Sequence, residues 1–145
     1  MTATSQKIEY NVMADIEERL DDAGINNVIT EHNDAPDAAT YVRVICLNMR
    51  DILDGGTVPT GMRQADMAVE CFSHRDDDTD GEDLHTLVES VRSAVYRDDI
   101  LSLLNTLSTY NTYYGLLAGD DLPDEQDRFR IRSIQFSLIL KPQKA

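Results

Sequence analysis

The chain has 145 residues, of which 41% are hydrophobic and 28% are charged. This length predicts a single domain spanning residues 1–145, and the composition is too apolar for a wholly disordered chain. The 13 Lys and Arg residues stand against 27 Asp and Glu, which gives a formal charge of −14. Such a charge should repel phosphate backbones, so it argues against a nucleic-acid clamp.

Neither a membrane segment nor a secretion signal is predicted. No run approaches the roughly 20 apolar residues that cross a bilayer, and residues 1–7 lack the apolar stretch of a signal peptide. The sequence therefore predicts a protein that is cytosolic at synthesis. Cys46 and Cys71 both fall in predicted strands, and we interpret them as reduced core residues rather than as a disulfide or a catalytic thiol.

The first half of the chain predicts one helix and three strands. Apolar residues at helical spacing form a stripe that ends at Gly24, namely Ile8, Val12, Ile16, Leu20 and Ala23. Strands are predicted at residues 28–31, 41–49 and 66–73, from β-branched residues and from period-two alternation. Gly55, Gly56 and Gly61 predict that residues 54–64 form a long loop outside the sheet.

The second half predicts a second helix and two strands. Leu84, Leu87, Val88, Val91, Ala94 and Val95 fit one helical stripe, and a short helical run is expected at residues 100–107. A Tyr-rich strand at 109–117, a polar loop at 119–126 and a strand at 128–140 complete the chain. Since the apolar set in the last strand changes phase, we predict a β-bulge near Ser133.

The order of these elements predicts the fold class α+β. Helix, three strands, helix and two strands contain no alternating βαβ units. We therefore expect an antiparallel-rich mixed sheet of about five strands, with two main helices packed on one face.

An acidic run before the second helix is the strongest candidate for a metal site. Asp76, Asp78, Asp80 and Gly81 match the opening of a calcium loop, but Leu87 stands where that loop needs a bidentate Glu. The alternative is that the carboxylates cap the helix, with Thr79 or Asp80 as the N-cap, and we prefer it. No catalytic motif is present and the three His residues are scattered, so no cofactor and no enzymatic activity are expected.

Three arginines alternate with apolar residues in the last predicted strand. Arg128, Arg130 and Arg132 should project from the face opposite Phe129 and Ile131. Solvent and cross-strand carboxylates are one expected environment for them. The acidic surface of a neighbouring copy is the other.

The arrangement resembles the tail-terminator, or tail-completion, proteins of long-tailed bacteriophages, including those of lambda-like phages. The likeness rests on the first helix, on the strand at residues 67–72 with its acidic turn, on the helix at 84–95 with the segment at 100–107, and on the closing strand. It covers most of the chain, in element order rather than in a signature motif. The acidic cluster at residues 76–83 is a departure from the family pattern.

The resemblance implies a homo-oligomeric ring, usually a hexamer, that caps the tail tube and ends its polymerisation. It implies three further partners: the tail tube protein, the head-completion or connector protein, and DNA that passes through without specific binding. The virion tail or neck, assembled in the host bacterial cytoplasm, would be the location. Assembly contacts are expected at Asp54, Thr57, Arg63, Gln64, Asp120, Asp121, Asp124, Arg128, Arg130 and Arg132, and Asp76, Asp77, Asp78 and Asp80 could face the lumen.

Other functions fit the same sequence. A neck or head-completion adaptor shares the size and the ring-forming habit. A monomeric acidic module that mimics DNA and inhibits a basic partner also fits the charge. A metal-dependent enzyme using the run at residues 76–80 is the third alternative, and metal-dependent stabilisation would distinguish it.

Overall fold

The computed structural model describes residues 8–30, 33–96, 110–125 and 128–142. In chain order the elements are α1 (Ile8–Asp22), β1 (Val28–Thr30), β2 (Thr40–Asp54), β3 (Val58–His74), α2 (Glu82–Val95), β4 (Tyr110–Glu125) and β5 (Phe129–Pro142). The strands form one mixed sheet in the order β1-β2-β3-β5-β4. β1 and β2 are parallel and the other neighbours are antiparallel. The α+β class is confirmed, and the strand number is close to that expected.

Helix α1 forms where the apolar stripe predicts it. Ile8, Val12, Ile16 and Leu20 are buried, whereas Ala23 is exposed because the helix ends at Asp22. Gly24 adopts a left-handed φ of 86°, and the Ile25 N–H donates to the Leu20 carbonyl at 3.2 Å. A side chain with a Cβ rarely tolerates this φ, so glycine is favoured where the chain reverses into β1.

Helix α2 also follows its predicted stripe. Val88, Val91, Ala94 and Val95 are buried, and Leu84 and Leu87 pack against the same core from the edge. Both helices contribute to one apolar cluster with one face of the sheet, which confirms that they pack on the same side. The sheet residues of this core are Val42, Val44, Cys46, Ala65, Met67, Val69, Cys71, Ile134, Phe136, Leu138 and Leu140.

The opposite face of the sheet carries a second, smaller cluster. Tyr41, Phe72 and Ile131 are buried there, and Phe129 and Ile29 pack against them. The rings of Tyr41 and Phe72 stack with centroids 4.4 Å apart, and Phe129 meets both edge-on. The sheet is therefore apolar on both faces at this end.

The predicted bulge near Ser133 is wrong. β5 pairs with β3 in unbroken register from Phe129 to Leu140. The change of phase arises because Phe129 and Ile131 serve the second cluster, whereas Ile134 and the residues after it serve the main core. The register shifts of this region lie instead between β4 and β5, where the additional residues are on β4.

Both predicted contact loops are strand in large part. Residues 54–64 form a tight turn and the start of β3, because Gly55 and Gly56 take φ values of 61° and 81° and reverse the chain within three residues. Residues 119–125 belong to β4, where they pair with β5. The predicted helical run at 100–107 lies outside the described residues.

Candidate functional site

Asp78 is the centre of the acidic segment that precedes α2. Its side chain is buried, with 2% exposure, although neighbouring carboxylates are exposed. The Ser73 hydroxyl at the end of β3 donates to Oδ2 at 2.7 Å. The backbone N–H groups of Asp83 and Leu84 donate to Oδ1 and Oδ2 at 3.1 and 3.0 Å. Asp78 thus ties the end of β3 to the first turn of α2.

The ionised form of Asp78 is favoured in the fold. Burial alone would raise its pKa, but the hydrogen bonds from Ser73, Leu84 and Asp83 and the charge of Arg130 outweigh burial, so the pKa is lowered. The Arg130 guanidinium donates to the carbonyls of Asp78 and Thr79, each at 3.2 Å. Hydrogen-bond donors of the protein therefore stabilise the negative charge of Asp78.

This geometry corrects the expected roles of the acidic run. Asp78, which faces inward, cannot be one of the lumen-facing carboxylates, and its oxygens already accept three hydrogen bonds. The N-cap residue of α2 is Gly81, not Thr79 or Asp80 as expected. The free N–H groups of the first turn are satisfied from before the cap: Asp80 accepts from the Glu82 N–H at 3.0 Å, and Asp78 accepts from the following two residues. Within the described residues, no group of three or more His, Cys, Asp and Glu side chains could hold a metal ion.

The remaining carboxylates of this run lie on the surface. The Asp76 and Asp77 side chains are 92% and 62% exposed, and each lies 3.9 Å from Nδ1 of His74. The Asp76 N–H also donates to His74 Nδ1 at 3.3 Å. These residues remain available to a partner.

Arg130 and Arg132 share one face of β5, opposite Phe129 and Ile131, but both are partly buried and so do not form an exposed row. Arg130 shares the helix-bearing face of the sheet with Ile134 and is held by the loop before α2. Arg132 is half-buried and lies beside Cys71 in the register. Arg128 is exposed, and its carbonyl accepts from the Arg75 N–H at 2.9 Å. Phe129 and Ile131 do lie on the other face, as the alternation predicted.

Residues 47–64 form a hairpin arm, made of the second half of β2, the turn and the start of β3. None of the described side chains of this arm is fully buried, and Met49 packs against the edge of the main core. β1 pairs with β2 only at residues 42–44, and the pairing of β5 with β3 reaches no farther than Arg63. In the part of the chain that the structure describes, the two strands in the outer half of the arm thus pair only with each other.

Cross-strand contacts stabilise the arm. Arg63 lies 3.5 Å from Asp51, and Arg50 lies 3.6 Å from Asp66. The Gln64 amide and the Ser137 hydroxyl also donate to Asp66, at 3.0 and 2.6 Å. Burial opposes the negative charge of Asp66, yet these hydrogen bonds and Arg50 lower its pKa. Arg63 and Gln64 therefore sit in a strand, not in the loop that the sequence predicted.

The arm exposes large apolar side chains that the sequence analysis did not single out. Leu47, Leu53 and Val58 are 52%, 43% and 59% exposed. Asp54 pairs with Val58 across the turn, and Thr57 lies in the turn itself. The signal was present as apolar residues on both sides of Asp54-Gly55-Gly56-Thr57, a pattern typical of a hairpin with a glycine turn.

Asp120, Asp121 and Asp124 lie in β4, at one edge of the sheet. Asp121 is the register partner of Ile134, and Asp124 is the partner of Ile131. β5 lies between β4 and the arm, and the register partners of Asp121 and Asp124 lie beyond the part of β5 that reaches Arg63. The structure therefore does not bring the two predicted sets of contact residues together.

A cleft of about 450 Å³ lies between α1 and the end of β1. It is lined by one stripe of the helix and by the turn after β1, namely Tyr10, Ala14, Glu17, Glu18, Asp21, Thr30 and Asn33. Burial and the charge of Asp21 raise the pKa of Glu17. The cleft thus combines an exposed aromatic ring at one end with crowded negative charge at the other.

Both cysteines lie in the core, as predicted. Cys71 is fully buried, and this burial raises the pKa of its thiol to about 12, so the thiolate is disfavoured. Cys46 is buried on the same face of the sheet. Among the described helices, none is long and apolar enough to cross a membrane.

Comparison with known proteins gives a likeness of fold. No protein-family model matches the sequence. No curated protein matches it either. Among solved structures 31 chains are similar, so the fold is shared with other proteins. One of them, which carries no descriptive name, aligns with a TM-score of 0.51 and 15% identity over 93% of this chain and 95% of its own. At that identity the likeness concerns the fold alone.

Proposed function

We propose that this chain is a structural protein of the bacteriophage virion, a tail terminator. It forms a homo-oligomeric ring, a hexamer, on the end of the tail tube. The ring stops addition of the tail tube protein and presents a surface to the head-completion or connector protein. It acts without catalysis or a cofactor, in the tail or neck of a particle assembled in the host bacterial cytoplasm.

The hairpin arm is the observation that carries this proposal. The arm has equal numbers of acidic and basic residues, Asp51 and Asp54 against Arg50 and Arg63, in a chain whose formal charge is −14. Copies of such a chain repel one another, and the repulsion is least where a segment is neutral and apolar. Leu47, Leu53 and Val58 are exposed on that segment. This is the surface expected of a protein that assembles with itself.

The element order and the charge also agree with the role. Helix, three strands, helix and two strands is the order on which the resemblance to tail terminators rests. A ring lined by a protein of charge −14 would let DNA pass without holding it. Edge strands and a protruding arm suit the repeated, non-identical contacts of a closed ring.

Solution mass tests the proposal. We expect light scattering after size exclusion to find a species near the mass of a hexamer of 16.3 kDa chains, in solution or after addition of tail tubes. A chain that stays monomeric at high concentration, and does not bind tail tubes, would contradict it. That outcome would favour the monomeric acidic module. A ring that binds the head connector but not tail tubes would favour the neck adaptor instead.

A further inference from the structure

We propose that the hairpin arm of one copy docks into the cleft between α1 and β1 of the next copy, which places Val58 on Tyr10 and Arg50 on Glu18. This inference rests on the proposed function, because it assigns the contact that would build the ring. It commits to a second copy of this chain as the occupant of both surfaces.

The two faces of the arm differ, and one of them suits the cleft. Arg50 and Asp54 are four positions apart on β2. The pairing with β3 shifts between Asp51 and Leu53, but the step spans two positions on β2 and four on β3, so the alternation is kept and the two side chains share a face. Val58 is the register partner of Asp54 and lies on that face as well. The Arg50 side chain is 56% exposed and Val58 is 59% exposed, so this face offers both a cation and an apolar group.

The cleft offers the complementary groups in the same order. Tyr10 is 55% exposed and lies on the α1 stripe that continues through Ala14 to Glu17, Glu18 and Asp21. Three carboxylates at one end attract a cation. Burial and, after it, the charge of Asp21 raise the pKa of Glu17, so a cation placed beside it would be favoured. An apolar side chain fits at the Tyr10 end, where Ala14 leaves room beside the ring.

The spacing of these groups also matches. Val58 is beside Asp54, four residues from Arg50, which is about 13 Å along a strand at roughly 3.3 Å per residue. Tyr10 and Glu18 are eight residues apart on α1, about 12 Å at roughly 1.5 Å per residue. An arm laid along the helix can therefore satisfy both contacts at once.

The contact joins two different surfaces of one chain, so it is head-to-tail. Repeating it around an axis gives a ring if the rotation closes. It also places the neutral arm of one copy against the acidic helix of another, where opposite charges meet in place of like ones.

Charge exchange tests the polar half of this contact. Arg50→Glu and Glu18→Arg should each reduce the assembled fraction, and the double variant should recover it. Arg63→Glu is the matched control, because it changes the net charge by the same amount and also removes a pair with an Asp, but Arg63 lies on the opposite face of the arm. It should reduce assembly only through the added negative charge, and therefore less than Arg50→Glu at the same salt. Since Arg50→Glu also breaks the pair with Asp66, thermal melting must show that the variants fold. Failure of the double variant to recover assembly, with both single variants folded, contradicts the pairing.

Disulfide trapping tests the apolar half. Copies carrying Val58→Cys are mixed with copies carrying Tyr10→Cys, assembled and oxidised; Cys46 and Cys71 are buried and do not compete. We expect linked dimers between the two variants on a non-reducing gel. We expect no linkage when Leu53→Cys replaces Val58→Cys, because Leu53 points to the other face of the arm. Rings that form without the Val58–Tyr10 link overturn this inference but not the proposed function, whereas chains that never assemble overturn both.

Discussion

Asp78 has a structural role that differs from that of the acidic residues around it. Four Asp residues lie between positions 76 and 80, and one of them is buried. Its carboxylate satisfies two N–H groups at the start of α2 and the hydroxyl of Ser73. The acidic run is thus divided between a structural role for Asp78 and exposed positions for Asp76 and Asp77.

We expect Asp78→Ala to lower the free energy of unfolding by about 2–4 kcal/mol, because it removes a helix cap and leaves three donors without their acceptor. Asp78→Asn keeps one acceptor oxygen, so its cost should be smaller. The exposed neighbour Asp77→Asn is the control and should change stability by less than about 0.5 kcal/mol. Urea unfolding followed by circular dichroism measures all three. Equal effects at positions 77 and 78 would contradict the structural role.

Acid should weaken the fold through the same carboxylate. The pKa of Asp78 is lowered in the folded chain, so its ionisation stabilises the fold above the ordinary Asp pKa of about 3.9. That stability is lost as the pH falls through the lower folded value. We expect the melting temperature to drop below about pH 4, and to drop less steeply in Asp78→Asn than in the parent chain. The pKa of Asp66 is also lowered, so Asp66 contributes a pH dependence of stability in the same direction. Asp78→Asn does not remove that contribution.

At the scale of elements, β5 has two apolar faces. Ile131 packs with Tyr41 and Phe72 on the side away from the helices, and Ile134 packs in the main core. The sequence shows only a change in the phase of the apolar residues. A bulge with one core and a regular strand with two clusters produce the same pattern, and only the pairing with β3 distinguishes them.

The two clusters make a direct prediction. Ile131→Ala and Ile134→Ala should each cost about 3 kcal/mol, because both side chains are almost fully buried and each truncation leaves a cavity. Lys141→Ala, at an exposed position of the same strand, should cost less than about 0.5 kcal/mol. Chemical denaturation compares the three variants. An Ile131→Ala change that costs no more than the control would mean that the second face contributes little.

The sequence predicted the helices better than it predicted the pairing of the strands. The stripe in α2 specifies a helix by itself, because its period is local. Residues 54–64 of the arm were predicted as a loop, because Gly55, Gly56 and Gly61 are typical of loops. The register between two strands depends on residues distant in the sequence, so local pattern does not show it. The exposure of Val58 and the cleft beside Tyr10 depend on which strand lies next to which, so neither could be predicted before the fold was known.

For the whole molecule, the proposed assembly depends on a balance between attraction at the arm and repulsion between acidic chains. Two copies each carry a formal charge of −14. At low salt their charges are weakly screened, so the two copies repel each other even when their surfaces are well apart. The Debye length is about 30 Å at roughly 0.01 M salt and about 8 Å at roughly 0.15 M. Added salt therefore removes most of the repulsion between distant surfaces, whereas contacts of the apolar arm are short in range and persist.

We accordingly expect the assembled fraction to rise as salt increases from about 0.01 M to about 0.15 M, measured by light scattering at fixed protein concentration. Salt also weakens the proposed Arg50–Glu18 contact, but Glu18 lines a cleft, so this contact would be screened less than the exposed charges. Arg63→Glu, which makes the chain more acidic without altering the proposed contact face, should shift the transition to higher salt. An acidic module that binds a basic partner would behave in the opposite way, because salt weakens that attraction. The sign of the salt dependence therefore separates a chain that assembles with itself from one that recognises a cationic target.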